Sequence, residues 1–330
     1  MSKTLLFLLL LLSLSAFSQS EEPVQTYLDL LNAEKMVKKL EDFKIRGATV
    51  RVLEINGKDT LRMDFNASGL LERSYDTRTS ILTTCAFENN ELKSIVENEL
   101  RYQKKTTTFF GKNGYCEKVI VDDQNNDFHS TAHYYFNDTF DELEIKYSYN
   151  IDSNSRDVVL NNRYTFTRND KQQVIKERCE STHKEWTYGT TATYAYDSIG
   201  NIVHSTDIAD CALTLSSNSC RNHIISVVFD ERNNIISKTL SDYTIRNSLW
   251  SNSYAYAATY NEHNDVVEEQ CNRDLDTQYI GLSDGPHTAL ADDPSLKPFF
   301  EYDYDLQGNW VVKYLNHKGE RTVVGRREIW

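Results

Sequence analysis

One short pattern recurs along the whole chain, and its clearest copy is the stretch 300–313, FEYDYDLQGNWVVK. Tyr302 and Tyr304 alternate, so both lie on one face of a β-strand. Asp305 and Gly308 hold the first and fourth positions of the next four residues, as in a tight turn that Asp caps and Gly ends in a left-handed conformation. An apolar run then follows. The unit is therefore a strand, a turn and a second strand, which predicts an all-β fold.

Less regular copies of this unit follow one another from about residue 60 to residue 330. Each copy is anchored by an aromatic residue, and successive anchors lie 22 to 44 positions apart, the spacing of repeat architectures except in the last interval. The anchors are Phe65, Phe87, Phe110, Phe136, Phe166, Tyr196, Phe229, Tyr260 and Tyr304. The predicted turns run from Asn66 to Gly69, Asp197 to Gly200, Asp230 to Asn233 and Asp305 to Gly308.

The N-terminus has the features of a secretory signal peptide. A short basic start precedes an apolar core from Leu5 to Leu12, and small residues at Ala16 and Ser18 provide a cleavage site. The core is far shorter than the roughly 20 residues needed to span a bilayer. We therefore expect residues 1–18 to be removed, leaving a periplasmic, cell-surface or secreted protein with no membrane span.

A single amphipathic helix is predicted from about residue 24 to residue 43, within an N-terminal unit of residues 19–47. Apolar residues recur there at steps of three and four, which is the period of a helix. Lys38 and Lys39 lie near its end, as the helix dipole favours. We expect this helix to cap the exposed first edge of a β-sheet. A partner-binding helix is the alternative.

The charge balance excludes one class of partner. The formal net charge is -13, so nucleic-acid backbones and anionic membrane surfaces repel the protein on average. We therefore expect no nucleic-acid partner. The 12% aromatic share favours strands over helices, in agreement with the repeat.

The unit Y-x-Y-D-x-x-G-N followed by apolar residues resembles the YD repeat of the Rhs/YD-repeat family, in the diverged form found in secreted proteins of Bacteroidetes-like bacteria. The resemblance covers about residues 60 to 330 and is most specific at Tyr196 and Tyr304. It implies successive β-hairpins that join edge to edge. Larger family members close such a sheet around a toxin, but this chain has no self-cleaving core segment, no toxin domain and about nine copies. The resemblance therefore does not imply a toxin wrapper.

The predicted fold is an elongated, curling antiparallel sheet of about nine β-hairpins of the YD type. It occupies residues 48–330 and carries the N-terminal capping helix. About 30 residues per copy leaves strands of roughly 10 residues, longer than usual. The aromatic anchors would form a ladder on one face through core packing. A carbohydrate-binding aromatic platform is the alternative interpretation of that ladder.

Six cysteines are an even number in an exported chain and predict disulfides. Cys211 and Cys220 enclose a short insertion, and we expect a bridge between them. The other four leave their pairing open: Cys85 and Cys116 lie in adjacent copies, whereas Cys179 and Cys271 could pair only if the sheet curls. A zinc site would need a C-x-x-C pair, which the sequence lacks.

The sequence contains no recognisable catalytic or metal-binding motif. His129 and His133 would lie about 13 Å apart along a strand, too far for a shared metal. Asp123 begins an imitation of a calcium loop, but Phe128 and Tyr134 replace the Gly and Glu that such a loop requires. We therefore predict neither a metal nor a cofactor.

The longest departure from the repeat is an irregular loop at about 274–298, which contains three of the four prolines. Long irregular loops in compact proteins are often functional. We take Tyr279, Asp284 and His287 as candidate ligand-binding residues. A surface loop without a specific role is the alternative.

Two functions from different classes fit these observations. The first is an exported, non-catalytic binding or scaffold protein, which holds a glycan or a cell-envelope or surface protein through the sheet face or the irregular loop. The second is a polysaccharide hydrolase with acidic residues on loops at one sheet edge. The lack of a catalytic motif favours the first. The sequence specifies neither the ligand nor the oligomeric state.

Overall fold

The computed structural model of the chain describes residues 24–47, 50–151, 158–183, 186–210, 221–244, 249–273 and 298–330. The predicted signal peptide lies outside these ranges. So do the cysteines of the predicted bridge and the three candidate ligand-binding residues of the irregular loop, namely Cys211, Cys220, Tyr279, Asp284 and His287.

Twenty β-strands make up most of the described structure, as the alternation of apolar and polar residues predicts. They are β1 (Arg51–Asn56), β2 (Asp59–Phe65), β3 (Leu71–Asp76), β4 (Ile81–Glu88), β5 (Glu91–Glu99), β6 (Lys104–Phe110), β7 (Cys116–Asp123), β8 (Phe128–Phe136), β9 (Glu142–Ile151), β10 (Val158–Arg168), β11 (Val174–His183), β12 (Trp186–Tyr196), β13 (Ile202–Asp210), β14 (Arg221–Phe229), β15 (Ile235–Thr244), β16 (Leu249–Tyr260), β17 (Val266–Arg273), β18 (Phe299–Tyr304), β19 (Trp310–His317) and β20 (Glu320–Ile329).

Strands adjacent in sequence pair antiparallel, and the last strand returns to the first. In the β1–β20 ladder, Val52 lies opposite Ile329 and Asn56 lies opposite Gly325. Among the described strands, ladders join every consecutive pair except β17 and β18, which flank residues 274–297. The sheet is therefore a nearly closed, barrel-like ring of 20 strands.

This ring confirms the all-β antiparallel class and corrects the predicted shape. The sheet is not an elongated array of about nine hairpins. The nine anchored units supply β2 to β19, and β1 and β20 are two further strands outside the repeat count. Neighbouring strands twist in one sense, so a long sheet curls. Here the two additional strands meet and close it.

The aromatic anchors share one position in the ring. Each lies at or near the C-terminal end of an even-numbered strand, from Phe65 in β2 to Tyr304 in β18. Several coincide with a β-bulge, such as the register shift between Ala195 and Tyr196. The turns that follow the anchors therefore all lie at one end of the ring, which we call the turn end.

The turn after Tyr304 shows why Asn follows Gly in the sequence unit. The Gly308 N–H donates to the Asp305 carbonyl at 3.1 Å, and the Asp305 carboxylate accepts from the N–H groups of Gln307 and Asn309. The Asn309 side-chain amide donates to the same carboxylate at 2.9 Å. The same side-chain pairing recurs between Asp197 and Asn201 and between Asp230 and Asn234.

We expect Gly308→Ala to destabilise the protein by about 1 kcal/mol or more, because Gly308 has a φ of 80° and an added Cβ would lie 2.5 Å from the Arg46 guanidinium. Gly308→Asn should cost less, since Asn tolerates this conformation and occupies it at Asn233 and Asn264. Chemical denaturation measures both changes.

The control is Gly57→Ala, because Gly57 has a φ of 61° with no other group within 4 Å of the added Cβ. It isolates the conformational cost from the contact with Arg46. A Gly308→Asn protein less stable than Gly308→Ala would contradict the prediction.

The N-terminal segment, residues 24–46, does not form the predicted single helix. It contains α1 (Tyr27–Leu30), α2 (Ala33–Met36) and the 3-10 turn η1 (Leu40–Phe43). Thr26 caps α1 and Asn32 caps α2, and extended backbone at Asn32 bridges to Tyr115. No helix among the described residues is long and apolar enough to cross a bilayer.

The predicted role of this segment as an edge cap is also wrong. β1 pairs with β2 on one side and with β20 on the other, so the first strand has no free edge to cover. The segment instead lies within the turn end of the ring, where its apolar residues join the core.

Alternation along the strands separates an inner face from an outer face. In β9, Leu143 and Ile145 are fully buried, whereas Glu144 and Lys146 are exposed. The inner face carries three clusters of buried apolar residues, on β5 to β11, on β1 to β3 and on β14 to β17. The core therefore lies inside the ring.

Candidate functional site inside the turn end

The N-terminal segment contacts all three clusters of the inner face. Leu28, Leu31 and Ala33 are buried in the cluster of β5 to β11. Ile45 is buried in the cluster of β1 to β3, and Val24 packs against the cluster of β14 to β17. The segment therefore crosses the interior of the ring and joins its opposite sides.

Main-chain hydrogen bonds attach the segment to the turns of two neighbouring parts of the wall. The Ala33 N–H donates to the Gly114 carbonyl at 2.7 Å, and the Cys116 N–H donates to the Leu31 carbonyl at 2.8 Å. Further along, the Leu40 N–H donates to the Gly69 carbonyl at 3.1 Å. The extended residues between the short helices thus use hydrogen-bonding groups that a continuous helix would have satisfied internally.

The end of the segment is held by the last turns of the repeat. The side-chain oxygen of Asn309 accepts from the Arg46 N–H at 2.5 Å, and its amide donates to the Arg46 carbonyl at 3.1 Å. Asn309 is 1% exposed. The Lys44 ammonium donates to the Asn264 carbonyl and lies 5.5 Å from the centre of the Tyr260 ring.

Glu177, on the inner face of β11, holds the beginning of the segment. Its carboxylate accepts from the Leu28 N–H at 3.4 Å and from the Tyr194 hydroxyl at 2.8 Å. Glu177 is 5% exposed. The wall thus presents a buried carboxylate to the first turn of α1, where main-chain N–H groups lack partners within the helix.

Burial raises the pKa of Glu177 to about 7, although hydrogen bonds from Tyr194 and from the main chain of Leu28 and Tyr27 oppose the shift. Burial also raises the pKa of Tyr194, and the nearby Glu177 charge raises it further. Glu177 therefore titrates near neutral pH inside the ring, whereas Tyr194 stays protonated.

Aromatic rings and thiols surround this carboxylate. The rings of Tyr27 and Tyr164 are stacked with centroids 4.4 Å apart. Cys179 and Cys116 belong to the same region, and burial raises the pKa of each thiol to about 12. Such thiols are poor nucleophiles while the region stays closed.

The inner face becomes polar away from the N-terminal segment. Glu97 and Asp207 lie on the inner face of their strands, and burial raises the pKa of the Asp207 carboxyl. Glu97 is exposed to solvent. Glu99, two residues further along β5, forms an ion pair at 2.8 Å with Lys104 on β6. The inner face is therefore polar beyond the apolar packing.

The outer face of the wall is charged. Arg163 and Glu142 pair at 2.9 Å with side chains 62% and 48% exposed, and Arg178 and Glu180 pair at 3.0 Å on β11. Exposed ion pairs contribute little stability. They do indicate that this part of the wall is hydrated, because a barrel wall in lipid presents an apolar band.

Three cysteines lie among the residues whose side chains are described, and they do not support the pairing considered for Cys85 and Cys116. Cys85, Cys116 and Cys179 are all free thiols, so the possible pairing of Cys85 with Cys116 does not occur. His129 and His133 lie on β8 opposite Asp122 and Lys118, on the outer face. Among the described residues, no group of three or more His, Cys, Asp or Glu side chains is arranged to hold a metal ion.

The sequence analysis did not single out Glu177. Its neighbours Lys176, Arg178 and Glu180 are charged, so a run of charges hides the one carboxylate that faces inward. Alternation from the buried Val174 does not reveal it, because a β-bulge lies between the two residues; the inward position follows from the register of Glu177 with Phe166 on β10.

Comparisons with known proteins find similar solved structures but no matching family model or curated protein. No protein-family model matches the chain, and no curated protein matches it. It is similar to two solved structures, both titled porin-like proteins. One is from Bacteroides vulgatus ATCC 8482, with 11% identity, a TM-score of 0.38 and coverage of 65% of this chain and 98% of that chain. The other is from Bacteroides uniformis ATCC 8492, with 11% identity, a TM-score of 0.35 and coverage of 63% and 94%.

These findings correct the function inferred from sequence. The sequence predicted a binding or scaffold protein that uses the sheet face or the irregular loop, or a polysaccharide hydrolase with acidic residues on loops at one sheet edge. The nearly closed ring turns one sheet face inward and pairs β1 with β20, so the sheet has neither an open inner face nor a free edge at its first strand. Both interpretations are therefore set aside.

Proposed function

We propose that the protein is a cell-envelope barrel in which the N-terminal segment closes one end of a polar lumen and controls access to it. The observation that carries this proposal is the contact of one short segment with all three clusters of the inner face. A segment that only stabilised one side of the sheet would not need to cross the ring.

The number of strands supports a closing role. Barrels of about eight strands are filled by their own side chains, whereas those with 16 or more enclose a channel unless a loop or helix plugs it. This ring has 20 strands. Its inward side chains need an additional element at the turn end, and the N-terminal segment supplies apolar residues there.

The charged outer face supports a wall that is in contact with water over β9 to β11. We therefore place the protein in the periplasm or at the cell surface. The YD-repeat assignment is kept as part of the proposal, because the nine aromatic anchors occupy equivalent places before the turns. In this proposal the repeats form the wall of the barrel, and the N-terminal segment occupies its interior at the turn end.

The proposal is tested by introducing a charge into the segment. Leu31 is 7% exposed and its carbonyl bonds to Cys116, which is 2% exposed. Leu31→Asp would bury an unpaired carboxylate, so we expect the segment to leave its site more often. The rate at which iodoacetamide modifies Cys116, followed by mass mapping, should rise by about tenfold or more for a cost of roughly 1.4 kcal/mol.

Lys35→Asp is the matched control, since it introduces the same side chain at an exposed position of α2. It should leave the modification rate close to that of the wild type. Circular dichroism checks that the strands persist in both variants. An unchanged Cys116 rate in Leu31→Asp with intact strands would refute closure by this segment.

A further inference from the structure

Glu177 occupies a position that a permanently neutral side chain could fill. A glutamine there could still accept from the Leu28 N–H without placing a charge at a site that is 5% exposed. A buried carboxylate between wall and segment instead makes their contact depend on its protonation state. This dependence on protonation distinguishes Glu177 from a neutral side chain at the same position.

Every element packed against Glu177 contributes titratable groups. The charge of Asp29, on α1, raises the pKa of Glu177, and Tyr27 lies on the same helix. On the wall, β10 supplies Tyr164, β11 supplies Cys179, β12 supplies Tyr194 and Tyr196, and β13 supplies Asp207. Burial raises the pKa of Tyr27, Tyr164, Cys179, Tyr194 and Tyr196, so these groups stay neutral at pH 7.

We propose that Glu177 is a pH-sensitive latch that holds the N-terminal segment in the ring when protonated and loosens it when ionised. The inference rests on the proposed function, since a latch presupposes that the segment closes the lumen. Its geometry is the contact of one carboxylate with the main chain of α1 on one side and with Tyr194 on the other.

The direction of the pH effect follows from burial. Glu177 binds its proton more tightly in the closed ring, where its pKa is about 7, than in an exposed state, where a glutamate has its ordinary pKa of 4.5. The closed state therefore gains stability that is complete below pH 4.5 and decreases as the pH rises toward 7. Above about pH 7 this contribution is lost, and the segment should open more often.

The test is hydrogen exchange of the intact protein, read by mass spectrometry between pH 5 and pH 8.5. Protection factors of peptides from residues 24–46, corrected for the known pH dependence of intrinsic exchange, report opening of the segment. We expect them to fall on the order of tenfold or more across this range, while peptides from β8 and β9 keep theirs. In Glu177→Gln the protection of the segment should not depend on pH, because the side chain cannot ionise.

A second variant keeps the test decisive if Glu177→Gln does not fold. Tyr194→Phe removes a hydroxyl that lowers the pKa of Glu177, so the loss of protection should move to higher pH. The same pH dependence in Glu177→Gln as in the wild type, or no shift in Tyr194→Phe, would overturn the latch. Neither result would contradict closure of the lumen by the N-terminal segment, because the Cys116 modification rate tests closure separately and at a single pH.

Discussion

Leu143→Ala is expected to destabilise the protein by about 2 to 5 kcal/mol, the largest single loss that we predict. Leu143 is fully buried on the inner face of β9, within the cluster that holds Leu28 and Leu31. Removing its side chain loses the transfer free energy of the missing atoms and leaves a cavity that the surrounding strands fill only in part. Thermal or chemical unfolding measures the change.

Glu144→Ala is the control for this prediction, because Glu144 is exposed on the opposite face of the same strand. Its effect should stay within about 0.5 kcal/mol. Equal losses at the two neighbouring positions would contradict the assignment of an inner and an outer face to the wall. The comparison thus tests the ring as well as the individual residue.

Asn309→Ala is expected to cost about 3 kcal/mol, although it removes a side chain from a turn. The Asn309 amide bonds to both main-chain groups of Arg46 and to the Asp305 carboxylate. Each lost hydrogen bond contributes about 1 kcal/mol, and the variant loses all three of these. The free energy of unfolding, obtained from denaturant titration, measures the effect.

Asn201→Ala is the matched control, because Asn201 holds the same place in the turn of Asp197. Its amide contacts the next turn at Asn233 instead of the N-terminal segment. We expect a smaller loss of about 1 kcal/mol, because its bond to Asp197 is partly buried whereas its bond to Asn233 is exposed and adds little. A loss at Asn201 as large as that at Asn309 would mean that the turn alone, and not its hold on the segment, accounts for the effect.

The two pairs of variants distinguish two contributions to stability. Leu143 and Glu144 compare the inner and outer faces of the wall. Asn309 and Asn201 compare a turn that binds the N-terminal segment with one that does not. Together with the Cys116 modification rate, they separate the stability of the barrel wall from the attachment of the N-terminal segment to it.

Local chemistry made much of the strand arrangement predictable. The alternation of Tyr302 and Tyr304, followed by Asp305 and Gly308, specifies a strand and a turn through interactions within a few residues. The same holds for the all-β class, because it requires no knowledge of which distant strands meet. Strand pairing between neighbours in sequence follows from the short turns.

The candidate site was not predictable in this way. The N-terminal segment has a helical period, yet its residues at Asn32 and Lys39 take extended bridges to Tyr115 and Leu70. Those partners lie far away in sequence, and the hydrogen bonds that they offer outweigh the local helical preference. The inward position of Glu177 likewise depends on the register of β11 with β10.

The sequence by itself determined the strands, their turns and the aromatic positions, because these depend on residues that are adjacent in the chain. The tertiary structure alone decided that β20 returns to β1 and that the N-terminal segment lies inside the ring. Closure depends on the twist accumulated over all 20 strands, and a lumen exists only once the ring is complete. No local sequence pattern records this accumulated twist. For that reason an elongated sheet was predicted, whereas a nearly closed one forms.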